Sequence, residues 1–403
     1  MTQFIETPAR SLPVQDQFDI VVCGGGPAGI SAAITAGRAG ARTCLIEHQG
    51  FLGGVWTAGL LSLILDAKDS GLIVEIRERL SKVDGIQRHL YDAEAMKLLL
   101  EELCEEASVE VRLYTRVVAA QVADRRLRHV ILEGKEGRFA IGGRAFVDTT
   151  GDGDLAALAG CGFDLGRPGD GLMQPMTLMA IVAGVPEAVR LTDHGPKKSA
   201  SCLIKSEFYR MLEAVGHPPS YTQPSLFPLP HGLCALMINH EYGVSGLDSR
   251  DLTRASISGR REVHRIVQAM RGFSPEWSGL TLVGTAPYIG VREGRRIHGR
   301  YQVSAKDLAN GARHEDAVTR VHFPVDIHSV SRKEGGGYDN GGVTMQPYDI
   351  PLRALVSKDL DNLYMAGRCI SGDFHAHASY RVTGIAVATG EAAGKAAADV
   401  FGN

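Results

Sequence analysis

His375 and His377 stand two residues apart in GDFHAHASYR (372–381), with Arg381 four residues beyond the second. Imidazoles and a guanidinium this close can move a proton, hold an anion or, with help, ligate a metal. Side chains two apart point to opposite faces of a strand and lie roughly 200° apart around a helix. In regular structure the two histidines cannot face one ligand; in a loop they can. Two further groups lie upstream. GVREGRRIHG (290–299) holds Arg292, Arg295 and Arg296, with Arg292 and Arg296 on one face of an extended segment, and arginine forks suit carboxylates. VDIHSV (325–330) sets His328 beside Asp326 on a short apolar run. Each group has a plain alternative: a satisfied polar loop, an interdomain salt bridge, and a core histidine held by a carbonyl. No acid or cysteine stands at ligand spacing to the histidine pair, so no metal is expected there.

A chain of 403 residues, 44% hydrophobic and 22% charged, must position these groups. That size suits two domains or one large elaborated one. A net charge of −3 gives no electrostatic reason for a nucleic-acid partner. The seven cysteines form no CxxC pair, so neither a zinc site nor a disulfide framework reads out; small buried apolar roles and a reducing compartment are expected. The opening MTQFIETPARSLPVQDQ lacks the apolar segment of a signal peptide, and no stretch nears the ~18 apolar residues of a membrane span. A soluble cytoplasmic protein without nucleic-acid or membrane partners is the expectation; homo-oligomerisation is left open.

Glycine is the unusual component, 48 residues gathered in short aperiodic runs. In FDIVVCGGGPAGISAAITAGRAGARTCLIEHQG (18–50), an apolar strand runs into Gly24, Gly26 and Gly29, with Pro27 and Ala28 between the last two. A helical run follows, then a second apolar strand ending on Glu47. This is the full context of the dinucleotide fingerprint. The first glycine makes the turn, the second admits a pyrophosphate, and the third lets helix pack on strand. The helix N-terminus offers N–H groups to phosphate, and Glu47 can accept from a ribose diol. NAD and FAD both fit so far. Downstream, HQGFLGGVWTAG (48–59) brings Gly53–Gly54 before Val55 and Trp56, and consecutive glycines let backbone pass close to a flavin. AFVDTTGDGDLAALAG (145–160) carries a strand into a glycine turn, and DNLYMAGRCISGD (361–373) precedes a long small-residue helix.

Taken in order, VVCGGGPAG, FLGGVWTAG, FVDTTGDGDLAALAG, APYIGVREGRRIHG, PVDIHSV, PYDIPLRAL and NLYMAGRCISGDFHAHASYRVTGIAVATGEAAG cover nearly the whole chain. The sequence resembles the FAD-dependent oxidoreductases, in a bacterial branch whose cofactor domain is shared with succinate dehydrogenase and fumarate reductase flavoproteins. The resemblance implies an α/β fold with a Rossmann-like FAD-binding domain of the glutathione-reductase type. That domain would be discontinuous, from 17–165 and 340–403, after an N-terminal arm over 1–16. A parallel sheet with flanking helices would carry a β-meander over residues 111–148. An inserted mixed α+β substrate domain would span 166–339. Within it, the basic face of DLTRASISGRREVHRIVQAMRGF (Arg260, Arg261, Arg265) is expected to be solvated, and the proline-rich stretch 216–232 to be a lid or docking loop.

The implied cofactor contacts are Gly24, Gly26, Pro27, Ala28, Gly29, Glu47, His48, Gly53, Gly54, Val55, Trp56, Thr150, Gly151, Asp152, Gly367, Arg368, Gly384 and Ile385, with a backbone group near Val117 at the adenine. Gly384 would start the last helix, near the charge that develops on reduced flavin. Catalytic candidates are His375, His377, Arg381, His328 and Arg292. Thr149–Thr150 departs from the usual Ala–Thr without threatening cofactor binding. MQPMT (173–177) has Gln174 and Thr177 but not the histidine of the fumarate reductase substrate stretch, so dicarboxylate chemistry does not carry over. His48 lies far from the flavin's methyl edge, which implies non-covalent FAD. There is neither a second strand–GxGxxG–helix unit nor a CxxxxC pair, so electrons would pass to or from oxygen, a quinone or a carrier. The expected activity is hydride transfer between flavin N5 and a small polar, carboxylate- or hydroxyl-bearing substrate, in either direction. Non-redox use of flavin, or service in a larger complex docked through the proline-rich loop, are the rival readings.

Overall fold

A buried parallel strand reads as an unbroken apolar run, and Ile20–Cys23, the inner end of the strand Val14–Cys23, is fully buried. The computed structural model describes residues 11–67, 71–192 and 200–400. Most of the expected arm lies outside them. Residues 14–16 already belong to the first strand, because Val14 and Asp16 pair with Ala140 and Ile141.

Thr43–Ile46 and Gly137–Asp148 flank that strand in parallel. Glu110–Arg112 extends the sheet beyond Thr43–Ile46, and Leu363–Met365 pairs with the far end of Gly137–Asp148. The twelve-residue strand Gly137–Asp148 has two duties. Its first half closes an antiparallel meander with Arg126–Gly134 and Arg116–Ala123, and its second half enters the parallel sheet. Cys23 is level with both Ile46 and Asp148, and Asp148 with Met365. All these strands therefore end at one carboxyl edge, where open α/β sheets bind ligands. The α/β Rossmann-like expectation holds.

Two helices pack backbone to backbone against this sheet. A Cβ added to Gly390 or Gly394 would lie 2.2 Å from the carbonyl oxygen of Ala28 or Ala32. Only glycine permits so close an approach between the first helix, Pro27–Arg38, and the last, Thr383–Asp399.

A second, antiparallel sheet runs in the order Ser225–Pro228, Cys234–Met237, Ala180–Ala183, Thr281–Thr285. It has its own core, with Ala180, Val182, Leu226 and Leu236 set against Val263, Ile266, Val267 and Met270 of the helix Ser249–Met270. Buried positions on that helix recur at helical spacing, and Arg260, Arg261 and Arg265 are exposed as expected. The proline-rich stretch is not a free lid. Tyr221, Leu226 and Phe227 are buried, and Ser225–Pro228 is the edge strand of the sheet, the position in which a strand tolerates proline.

Ile297, Val303, Leu308, Val321 and Val325 pack into the first core, so the chain returns there ahead of residue 340, where the sequence places the return. The returning strands, Arg296–Ile297 and Ala317–Val321, are too short to show a period. A third cluster joins the two units: Leu60, Leu63 and Leu90 meet Met176, Leu178, Phe227 and Ala286. Among the described residues no helix is long and apolar enough to cross a membrane. The seven cysteines are buried and free of disulfides.

Candidate active site

At the carboxyl edge each glycine of the first turn can be tested for what requires it. A Cβ on Gly24 would fall 2.4 Å from Thr149 O, and one on Gly29 1.7 Å from Gly24 O. Protein packing alone demands those two. Gly26 differs, since the nearest atom to its added Cβ is Gly54 Cα at 4.0 Å. Nothing among the described residues needs glycine there. It caps a twelve-residue helix that has no side-chain cap and has Pro27 in its first turn, which leaves amide donors facing outward. A cradle that a side chain would fill, at an uncapped helix start, fits a pyrophosphate.

Glu47, one residue beyond the second strand, is 4% exposed. Its Oε2 accepts from Gly25 N–H at 2.7 Å; its Oε1 accepts from Gln49 N–H at 2.7 Å and meets His48 Nδ1 at 2.8 Å. Burial pushes its carboxyl up, but His48 and the two amides outweigh that and hold it below the ordinary value. The same pair raises the exposed His48. Thr115 N–H donates to Glu47 O, which brings the strand carrying Val117 beside this end of the site. Gly53 and Gly54 adopt positive φ (111° and 51°), and an added Cβ on Gly54 would sit 2.8 Å from Gly26 Cα, so the second glycine turn rests on the first. Val55 and the fully buried Trp56 follow in the same turn; Trp56 Nε1 has no partner among the described residues.

The third wall is knitted together by residues the sequence reading assigned to the cofactor. Asp148, at the end of its strand, accepts from Thr150 Oγ1 (2.7 Å), Thr150 N–H and Ala156 N–H, and burial pushes it up to about 6. Arg368 donates to Gly151 O (2.9 Å), Asp152 Oδ1 (2.7 Å) and Val291 O. Its guanidinium thus fastens the 150–152 loop to the turn at Gly367. Gly367 in turn lies over Ala28, an added Cβ there standing 3.0 Å from that of Ala28. Gly384 N–H donates to Leu65 O at 2.8 Å, next to Ile385 at the start of the last helix.

Ahead of that helix, Phe374–Tyr380 forms a short helix capped by Asp373, whose side chain accepts from Ala376 N–H. The helix resolves the histidine pair. His377 is wholly buried, and its ring lies beside the Arg368 backbone. Burial, with Arg296, Arg381 and Arg368 around it, keeps the ring neutral. His375 is half-buried and packs over Gly341 instead.

Arg381 closes this short helix and enters a polar cluster. Its Nη2 donates to Asp326 O (2.7 Å), to Asp326 Oδ2 and to Gln174 Oε1 (3.3 Å each). Gln174 Oε1 also accepts from His328 N–H at 3.0 Å. Arg292 Nη1 donates to Pro175 O (2.7 Å) and Thr177 Oγ1 (2.8 Å). Two isolated antiparallel bridges assemble these groups, Met176 with Glu241 and Thr177 with Gly290, where the strands of the second sheet overrun its end. Arg292 and Arg296 do not share a partner as an extended segment would allow. Glu293 and Arg296, 1% and 3% exposed, pair with each other at 2.7 Å, and Glu293 Oε2 accepts from Gln174 N–H.

The structure therefore gathers Arg292, His328 and Arg381, sets His377 one helical turn behind Arg381, and leaves His375 aside. His240, Tyr221 and Tyr242 join this cluster, and no local motif in the sequence marks them. His240 is 2% exposed, with Nε2 3.0 Å from His328 Nδ1, and Tyr221 stacks on it at a centroid distance of 4.0 Å. Burial and the Arg292 charge push His328 down to about 3, and burial lowers His240 as well, so both rings are neutral. Burial would raise Asp326, but His328 and the two arginines hold it far below the ordinary carboxylate range.

The family described as FAD dependent oxidoreductase matches residues 19–400. Over 45 residues, 11% of this chain, the sequence is 47% identical to dihydrolipoyl dehydrogenase of Trypanosoma brucei brucei; the match spans 9% of that enzyme. The solved flavin-dependent brominase Bmp2 aligns over 96% of this chain and 80% of its own, with a TM-score of 0.54 and 12% identity. A geranylgeranyl bacteriochlorophyll reductase-like protein from Thermoplasma acidophilum aligns over 96% and 78%, with a TM-score of 0.49 and 12% identity. At this identity the brominase likeness shows a shared fold.

Proposed function

The chain belongs to the FAD-dependent oxidoreductase family, and from that premise we propose that it moves hydride between FAD and a small carboxylate-bearing substrate held by Arg292 and Arg381. Bound FAD supplies the two-electron chemistry at N5. The residues that would hold it are Gly26 and the first helix start at the pyrophosphate, Glu47 at the ribose, and the turns at 53–56, 367–368 and 384–385 along the flavin.

One observation carries the substrate class. With His328, His240 and His377 neutral, the ionised groups of the cluster are Arg292, Arg381 and Asp326, which leaves one positive charge over. Burial and the neighbouring Arg381 push Arg292 down to about 10. A buried guanidinium without its own counterion is costly, and a carboxylate offers the bidentate geometry that satisfies it. The wholly buried, neutral His377 and Asp326 with His328 are the groups that would give or take the substrate proton.

Anaerobic titration of the flavin spectrum with 2-hydroxy acids, 2-amino acids, sugars and amines tests this, along with reoxidation of photoreduced protein by enoates. A carboxylate should react where its amide does not. Arg381→Met should weaken binding by about 100-fold, the scale of truncating one partner of a buried charge pair. Equal reaction with neutral analogues would refute the proposal.

Two smaller outcomes follow from the ribose end. FAD is proposed to be non-covalent, so acid precipitation should leave the yellow colour in the supernatant. The depressed Glu47 contributes stability that is present above its unfolded value, near ~4.3, and lost as pH falls through the folded one. Ultrafiltration should show FAD retained from neutral pH to about 5 and released in stronger acid; release already at neutral pH would contradict this role.

A further inference from the structure

The hydroxyl of Tyr242 stands within hydrogen-bond distance of His240 Nδ1 at 3.1 Å and of Ser220 O at 3.2 Å, and has one proton to give. From His240 the line continues inward through Nε2 to His328 Nδ1 (3.0 Å), then from His328 Nε2 to Asp326 Oδ2 (3.2 Å). Burial grades along it: His328 and His240 are buried, while Tyr242 is half-exposed beside Gly336. We propose that Tyr242, His240, His328 and Asp326 form a proton relay between the substrate site and the surface; its inner end rests on the site proposed above.

The chain has two complete hydrogen-bond orders. In the first, Asp326 is ionised. His328 Nε2–H donates to it, His240 Nε2–H donates to His328 Nδ1, and Tyr242 O–H donates to His240 Nδ1. In the second, every bond is reversed. Asp326 is protonated and donates to His328 Nε2, His328 Nδ1–H donates to His240 Nε2, His240 Nδ1–H donates to Tyr242 O, and Tyr242 O–H turns to Ser220 O. The two orders differ by one proton. Taking it from water at Tyr242 forms a new O–H bond there, breaks the old one as its proton passes to His240, and ends with a new O–H on Asp326. Run in reverse, a proton lifted from the substrate by Asp326 leaves at Tyr242. Neither ring carries net charge in either order, which suits a buried site flanked by Arg292 and Arg381.

Neighbouring residues hold the geometry for both orders. Ser220, whose carbonyl is the alternate acceptor, is fixed by Glu262 through its N–H (2.6 Å) and hydroxyl (2.8 Å), and its Oγ also accepts from His240 N–H at 2.8 Å. Tyr221 stacks across His240 and lies 5.6 Å from the His328 ring.

The test is exchange of the His328 ring proton with water, read by NMR on FAD-loaded protein labelled with nitrogen-15 in the histidine rings, and assigned with His328→Gln. Wild-type protein should show both rings as Nε2–H near neutral pH. Tyr242→Phe and His240→Gln should each slow the exchange by at least about tenfold, one decade of rate, with the flavin spectrum unchanged. Exchange as fast in Tyr242→Phe as in wild type, or Nδ1–H on either resting ring, would overturn the relay. Should His240→Gln fail to fold, Tyr242→Phe, which removes one oxygen, decides alone. Slowed exchange without any reaction with carboxylates would instead sink the substrate reading and leave the relay standing.

Discussion

Protein carrying Gly29→Val is expected to purify without flavin. A Cβ at this position falls 1.7 Å from Gly24 O and 2.6 Å from Thr149 Oγ1. No rotamer relieves the clash, because Cβ is fixed by the backbone. Thr149 cannot withdraw cheaply either, since its hydroxyl lies within hydrogen-bond distance of Cys23 O (2.8 Å) and Gly24 O (2.7 Å). The helix must lift from the strand, and the first turn loses its shape. Overpacking of this kind costs about 1–3 kcal/mol or more, and FAD affinity should drop by about 100-fold or more with it. Gly26→Ala separates the cofactor from the fold. Its added carbon meets no protein atom closer than 4.0 Å, and φ is −77°, so apoprotein stability should be unchanged while FAD binding weakens. Thermal melting of the apoproteins and FAD titration check both. A Gly26→Ala protein that binds FAD like wild type would show that the pyrophosphate does not lie over this residue.

Glu293→Gln is expected to destabilise the protein by about 3–5 kcal/mol, the range for leaving one member of a buried ion pair alone. Glu293 and Arg296 are almost wholly buried, and the Arg296 Nη2 bond to Gly166 O at 2.9 Å cannot replace the lost charge. Urea unfolding followed by circular dichroism should show a lower midpoint with an unchanged slope. The double variant Glu293→Gln/Arg296→Met should recover most of the loss, because an apolar pair of similar volume removes the uncompensated charge. A single variant as stable as wild type would mean that water reaches the pair. Glu293 also accepts from Gln174 N–H, and Gln174 holds both Arg381 and His328, so the single variant should perturb carboxylate binding too.

The glycine turns and the first βαβ unit were legible because their constraints are local. Gly24, Gly29 and Gly53 sit where backbone geometry or close packing admits one residue type, so each records its surroundings in its identity. The strand–turn–helix–strand order that ends at Glu47 lies in one continuous stretch, from Val14 to Glu47. His375 and His377 were half legible. Spacing alone showed that a helix would divide them, but not which would face inward; that depends on how Asp373 starts the helix. The polar cluster around His328 was opaque for a different reason. His240 meets His328 across 88 residues, aligned by the Met176–Glu241 bridge and by the bond from its N–H to Ser220 Oγ. The Arg292–Arg296 stretch misled because residues 291–295 lie outside any strand, and Glu293 pairs with Arg296 instead of leaving Arg292 and Arg296 on one extended face. Ser225–Pro228 misled through its prolines, which an edge strand tolerates and a central one does not.

The seating of Gly390 and Gly394 on Ala28 and Ala32 bears on when the protein can first become yellow. The strand Leu363–Met365, the turn at Gly367 and the last helix are synthesised long after the first helix, yet they cover it and line the proposed cofactor site. Contacts that close nearly the whole chain form slowly, and domains assemble only once their segments have emerged. A nascent chain that has completed the first βαβ unit and the second sheet should still expose the small-residue face of its first helix and hold no FAD. Loading would wait for the helix Thr383–Asp399 to leave the ribosome and dock on the first helix.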